Sequence, residues 1–328
     1  MIATKTVGLL DQTTKPTYSE KEATSLYRSW LNDLRHNLRR GTSIPTEATF
    51  TEIYLLLQDC IRSLATVVGG PADRFGAFKT EHSPFFIRWT GPLFDELCTL
   101  EAPLAALLVL CTWANWMDVT TPNISLIPME LAELSNDLLD QTDGIEDTLK
   151  TTPYFHLKYI SALLSQPQTI LYELDNHPEV FMDLVFVRWL LHTNHKVILC
   201  CKSSPVLNDV TLSDLKIIQT HASFTWLKNA IDDLRVKIVT AGPATVGKYI
   251  YEASDAYKSA YSTATVQILK GQGSFQSQPP AYNYKKPVIY LTGNRAPIIR
   301  YSMKKLFGTR KAPTDDSIFC YLKGTFDE

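Results

Sequence analysis

From about residue 168 onward the chain alternates short apolar runs with amphipathic stretches of helical period, and few folds accept that grammar. The apolar runs at 168–174, 196–201, 235–240, 265–269, 287–291 and 317–322 read as strands buried on both faces. Helical patterns at 179–193, 211–219, 223–233, 245–262 and 296–307 fall between them. Strands joined through helices build βαβ units, which cross over with one hand and place the strands parallel. The expected fold class is therefore α/β: a three-layer α/β/α, Rossmann-like, mostly parallel sheet.

Upstream the pattern is helical. Residues 18–40 open on Ser19-Glu20-Lys21-Glu22, which resembles a capping box, and place Leu26, Trp30, Leu31, Leu34 and Leu38 at helical spacing. Residues 46–68 repeat the theme with Phe50, Ile53, Tyr54, Leu57, Cys60, Ile61 and Leu64, and Gly69-Gly70 stops them. Residues 93–116 are apolar around most of the circumference and read as a third, buried helical region. The expected organisation is a helical domain over 1–150 that contributes to the pocket, and an α/β metal-binding catalytic domain over 151–328.

Composition narrows the function classes. A net charge of −2 over 328 residues lacks the basic excess of a nucleic-acid partner. The N-terminus has no sustained apolar core for a signal peptide. The greasiest stretch, 102–117, is broken by Pro103, Trp113 and Asn115 and is too short to span a bilayer, so no membrane partner is expected. Cys60, Cys98, Cys111, Cys200, Cys201 and Cys320 lack zinc-like spacing and mostly sit in apolar runs, which suits a reduced, cytoplasmic setting.

The chemistry concentrates where strands end, because open α/β sheets bind ligands at the carboxyl ends of their strands. The run at 168–174 stops at Asp175-Asn176-His177-Pro178, and a carboxylate beside an amide oxygen can ligate a hard divalent cation. The plain alternative is a turn and helix cap. The run at 196–201 leads into Lys202-Ser203-Ser204-Pro205-Val206-Leu207-Asn208-Asp209-Val210-Thr211. If these two strands are neighbours, Asp209 approaches Asp175 and Asn176, and Lys202 adds a charge for an anionic substrate. Alternatively, Asn208-Asp209 merely caps the helix at 211–219. A third strand end supplies Lys270-Gly271-Gln272-Gly273-Ser274-Phe275, a turn that could cradle a phosphate.

Two motifs are set aside. Residues 242–249, Gly-Pro-Ala-Thr-Val-Gly-Lys-Tyr, resemble a P-loop, but Tyr249 stands where a magnesium-binding hydroxyl belongs and Pro243 removes a backbone donor. A loop entering a helix is the expected reading. His192 and His195 flank Asn194 and read as a solvated turn, not a metal site.

Taken in order, Leu174-Asp175-Asn176-His177-Pro178-Glu179, Asp183-Leu184, the 202–211 segment, Lys270-Gly271-Gln272-Gly273 and Arg295-Ala296-Pro297 resemble the metal-dependent damage-control phosphatases. That family was long catalogued as a domain of unknown function. It includes the acidic-residue-methyltransferase-like proteins and the C-terminal domain of pantothenate kinase four. Asp73-Arg74-Phe75 with Lys79, and Ala114-Asn115 with Asp118, extend the resemblance into the helical half.

The resemblance implies that Asp175, Asn176 and Asp209 bind a divalent metal, which oxygen ligands leave open among manganese, magnesium, cobalt, nickel and iron. It also implies that Asn115, Asp118 and Glu179 line the substrate pocket and that Lys202, Lys270 and Arg295 meet substrate phosphate. His177, Thr265 and Ser274 depart from the family pattern and are expected around the substrate. The expected activity is metal-dependent hydrolysis of a small phosphorylated metabolite, a sugar phosphate or damaged phospho-metabolite. The alternatives are a different metal-dependent reaction in a specialised pathway, or S-adenosylmethionine-dependent carboxyl methylation. The latter lacks a Gly-rich loop after the first strand.

Overall fold

The computed structural model describes residues 73, 75–115, 155–242, 247–248, 253–278, 285–293 and 318–323. The expected helices at 18–40, 46–68 and 296–307, the boundary near 150, and residues Asp118 and Arg295 lie outside them. The chain forms two compact units, Met1–Ala77 and Phe78–Glu328. In the first, the Asp73 carboxylate accepts the Phe75 amide at 3.0 Å just ahead of a helix.

The second unit is built on a six-stranded sheet. In chain order the described elements are α1 (Gly76–Leu97), α2 (Pro103–Ala114), α3 (Leu157–Leu164), β1 (Thr169–Glu173), α4 (His177–His192), β2 (Lys196–Cys201), α5 (Leu212–Ile218), α6 (Thr225–Asp232), β3 (Val236–Thr240), α7 (Asp255–Thr263), β4 (Val266–Lys270), α8 (Gly271–Ser277), β5 (Val288–Gly293) and β6 (Ile318–Lys323). All six expected strands are present, displaced by a residue or two at their ends.

The strand order is β3-β2-β1-β4-β5-β6. The first five strands are parallel, and β6 pairs antiparallel with β5 at the edge. The chain winds outward from β1 to β3, then returns to the other side of β1 with β4. That reversal opens a crevice at the carboxyl ends of β1 and β4, where a sheet of this kind binds its ligand.

Alternation along the strands sorts side chains to two faces. Ile170, Tyr172, Val197, Leu199 and Cys201 join the larger core, with α2 and α4. Leu171, Ile198 and Cys200 join a smaller one with Val239, Tyr257 and Ala260, beneath α7. Phe86 of α1 stacks on Phe181 of α4 at 5.4 Å between ring centroids, within the larger core. Each fully buried Leu or Val there contributes about 1.5–3 kcal/mol.

Three expectations need correction. Residues 93–116 do not make one helix: the chain turns at 98–102, and α2 starts afresh at Pro103, which lacks the N–H a continuing helix requires. The helix expected at 245–262 is shorter: Gly247 and Lys248 lie outside any helix, and α7 covers Asp255–Thr263. Finally, His195 is not solvated: it is fully buried, and its Nδ1 accepts the Gln168 amide at 3.0 Å as the chain enters β1.

Candidate functional site

The local sequence after β1 is good helix-start chemistry. Asn176 is the N-cap of α4, Pro178 occupies its first turn, and the Glu179 carboxylate accepts the Asn176 amide at 2.9 Å. Asp175 is the residue before the cap, so its carboxylate is not consumed by the helix. The plain turn reading is thus correct for Asn176 and leaves Asp175 over.

The segment after β2 returns to the same place. β1 and β2 are parallel neighbours, and their extensions continue to pair. Asn176 bridges Asp209 antiparallel, the Val210 amide donates to the Asp175 carbonyl at 2.8 Å, and the His177 amide donates to the Asn208 carbonyl at 2.8 Å. Helix α5 is capped by Thr211, whose hydroxyl accepts the Asp214 amide at 3.2 Å while the Asp214 carboxylate returns to the Thr211 amide at 2.8 Å. Asp209 therefore caps nothing. Its carboxylate lies 3.4 Å from the Lys202 ammonium. From α1, Lys79 donates to the Asp209 carbonyl at 2.9 Å and pairs with Asp214 at 2.8 Å.

Asn115, at the end of α2, joins the site from the β5 side. Its Oδ1 accepts from Thr292 Oγ1 and the Gly293 amide, both at 3.2 Å, which turns its NH2 toward Asp175 Oδ2 at 3.2 Å and toward Glu179. The Asn176 NH2 also meets Asp175 Oδ2, at 3.3 Å. Both amides hold the same oxygen.

Across the crevice, Gly271 presses its backbone onto Asp175. A Cβ at this position would overlap the Asp175 carboxylate, and its φ of +75° also favours glycine. The expected phosphate-cradling turn forms the first turn of the short helix α8. Lys270 is enclosed, with zero exposure: it pairs with Asp183 at 3.0 Å and Glu179 at 3.5 Å and donates to the Cys111 carbonyl. The expectation that Lys270 faces a substrate phosphate gives way to an internal ion cluster. Its ammonium runs from the strand end into the core beneath α2 and α4. Glu179 is equally enclosed, so it supports the site from behind and does not line a pocket.

The three departures from the family pattern also fall differently. Thr265 sits at the opposite, amino edge of the sheet, where its hydroxyl meets the Thr169 amide at 3.0 Å and the Gln168 side chain at 2.7 Å. His177 is buried against Phe181, with Nε2 3.3 Å from Ser83 Oγ, and burial pushes it down to about 4. Ser274 is buried within α8.

One residue was passed over. Lys248 belongs to the segment set aside as a false P-loop, yet its ammonium pairs with Glu173 at 3.3 Å and donates to the Leu174 carbonyl at 3.3 Å, immediately before Asp175. Glu173 also accepts Tyr257 Oη, Gln267 Nε2 at 2.6 Å and Gln278 Nε2 at 3.2 Å. The only sequence signal was a lysine after Gly247. The discarded motif contained it.

The electrostatics ask for a cation. Glu173, Asp175, Glu179, Asp183 and Asp209 gather here against the ammoniums of Lys202, Lys248 and Lys270, an excess of two negative charges among these groups. Burial, then Glu179 and Asp209, push the Asp175 carboxyl well above the usual carboxylate range. Burial likewise raises Asp209. Carboxylates held this way in the absence of a cation are the environment that a divalent ion relieves.

The donor set matches a hard ion: two carboxylates and one amide. Among the described residues there is no cluster of three or more His, Cys, Asp or Glu ready to hold a metal, so the amide must complete the set. Asn176 now turns its NH2 inward, and offering Oδ1 requires a half-turn of that amide. Among the described residues, the hydrogen bonds to the Asp175 carboxylate engage only Oδ2, which leaves Oδ1 as the oxygen available to a ligand.

Comparison with known proteins identifies the family. A Methanocaldococcus jannaschii protein of uncharacterized function is 30% identical over 124 residues, which is 37% of this chain and 36% of that protein. A damage-control phosphatase from Pyrococcus horikoshii is 27% identical over 140 residues, 42% of this chain and 45% of that protein. The matched segment thus spans less than half the length of either relative. The crystal structure of a Pyrococcus horikoshii protein of the family once called domain of unknown function 89 superposes with a TM-score of 0.67 at 18% identity, covering 98% of this chain and 96% of that one, a likeness of fold. The profile of the damage-control phosphatase ARMT1-like domain matches residues 1–298, and the chain belongs to that family.

Proposed function

We propose that this protein is a divalent-metal-dependent phosphohydrolase acting on a small phosphorylated metabolite. The observation that carries the reading is the junction at the carboxyl ends of β1 and β2, where Asn176 bridges Asp209 and Val210 holds the Asp175 carbonyl. Membership of the damage-control phosphatase family supports it. Asp175, Asn176 and Asp209 would hold the metal, which when bound supplies Lewis acidity to a phosphoryl oxygen.

The remaining work belongs to the chain itself. Lys202 places a positive charge where negative charge grows on the transferring phosphoryl group, which lowers the barrier electrostatically. Asn115 steadies Asp175 by holding Oδ2, and its own carbonyl is locked by Thr292 and Gly293. Lys79 fixes the Asp209 backbone so that the two carboxylates keep their separation. Gly271 closes one side of Asp175 and excludes water from it.

Phosphate release from a panel of sugar phosphates and p-nitrophenyl phosphate, with each candidate metal in turn, tests the proposal. Turnover is expected with at least one metal. Asp175→Ala should lose roughly 10⁴-fold in kcat/KM, the several kcal/mol that such a site supplies. Equal turnover by wild type and Asp175→Ala would refute the assignment.

A further inference from the structure

We propose that Lys248 is a second phosphate-binding residue of this site, acting beside Lys202 on the dianionic phosphoryl group; this rests on the phosphohydrolase reading above. Gly247 and Lys248 lie outside any helix, and Gly247 packs its backbone against Gly273 and Ser277 of α8. The segment delivers its lysine to the crevice. The Lys202 ammonium donates to the Gly247 carbonyl at 2.9 Å, and the Lys248 amide donates to Ser277 Oγ at 2.9 Å. These bonds stitch the loops after β2, β3 and β4 together around Asp175.

The alternative is that Lys248 only neutralises Glu173. Three neutral donors already serve that carboxylate: Tyr257, Gln267 and Gln278. Meanwhile the Lys202 ammonium reaches the carbonyl of Gly247, the residue before Lys248, so the two lysines enter the crevice beside each other. Among the described residues, the Lys248 ammonium meets Glu173 and the Leu174 carbonyl, which occupy two of its three N–H donors. The remaining donor and the paired charge suit a phosphate oxygen, as a P-loop lysine does from a different backbone.

Removing Lys248 alone would strand Glu173, so the test uses Glu173→Gln with Lys248→Met, and Lys248→Arg as the conservative variant. Calorimetry measures Mn²⁺ binding first, then inorganic phosphate binding to the Mn²⁺-loaded protein. The double variant should bind Mn²⁺ within about threefold of wild type and bind phosphate at least about tenfold more weakly, the loss of one charge-assisted hydrogen bond. With p-nitrophenyl phosphate its kcat should fall by roughly 10²-fold, and Lys248→Arg should recover part of it. Phosphate affinity equal to wild type in a folded, Mn²⁺-binding double variant overturns the assignment.

Loss of Mn²⁺ binding in the double variant also overturns it, giving the pair a positioning role toward Asp175. Wild-type protein that binds Mn²⁺ but no phosphate sinks the phosphohydrolase reading and this one together. No variant is needed for the last readout: the Lys248 ε-ammonium nitrogen resonance should shift when phosphate is added to Mg²⁺-loaded wild type, and an unmoved resonance overturns the proposal.

Discussion

Two groups of charged side chains lie side by side at the carboxyl edge of the sheet, and they are built on opposite principles. In the first, Lys270 is wrapped by Asp183, Glu179 and the Cys111 carbonyl, with no exposure at all, and Tyr172 closes the ring by donating to Asp183 at 2.8 Å. In the second, Asp175 remains half-buried, one of its oxygens carries no hydrogen bond among the described residues, and Lys202 is shared between Asp209 and a backbone carbonyl. The closed group is fully enclosed, with one Asp183 oxygen left without a hydrogen bond among the described residues. Burial raises carboxylates in both groups, Asp183 to about 6 in the first and Asp175 and Asp209 in the second. The difference lies in access: the first is sealed around its own cation, whereas Asp175 in the second is partly exposed.

That contrast can be broken most sharply by neutralising one member of each group. Lys270→Met should destabilise the protein by about 3–5 kcal/mol, because it leaves two buried carboxylates without their cation. Asp175→Asn should leave the urea midpoint unchanged or raise it, since it removes a repelled charge, while Mn²⁺ binding is lost. A Lys270→Met protein as stable as wild type would erase the distinction between the groups.

A smaller effect is expected at the wall between them. Gly271→Ala forces a side chain into the Asp175 carboxylate at a positive φ and should cost about 1–3 kcal/mol. Displacement of Asp175 should also weaken Mn²⁺ binding, which calorimetry on the folded variant would reveal. Unaltered metal affinity would show that Gly271 does not help place Asp175.

The smallest change concerns the far, amino edge of the sheet, where no ligand is expected. Burial lowers His195 from its ordinary 6.5, so the folded state favours the neutral ring that accepts the Gln168 amide. A depressed basic group contributes stability in full above 6.5 and loses it as pH falls through the folded value. Urea midpoints should therefore decline on acidification below that range, and His195→Gln should flatten the decline. An identical pH profile in that variant would remove His195 from the account.

Much of this was legible in the residues. All six strands were, because burial on both faces writes a continuous apolar run. Asp175, Asn176 and Asp209 were legible as strand-end residues, and their convergence followed from β1 and β2 being neighbours. The break at 98–102 was not, since α1 and α2 are both apolar around Pro103 and periodicity carries no phase marker there. Thr265 was misplaced because its position in a motif says nothing about which edge of the sheet it occupies.

The alternation of strands and helices, the parallel sheet and the acids waiting at its edge were determined by the sequence alone, for local pattern decides which segments can be buried and where a strand must stop. What the tertiary structure alone decided is the fate of three lysines. Lys202 and Lys270 directly follow or close strands, and Lys248 follows a glycine in a loop, so nothing local tells which partners each ammonium will meet. Only packing decides which carboxylates stand beside each of them: Asp183 and Glu179 for Lys270, Asp209 for Lys202 and Glu173 for Lys248.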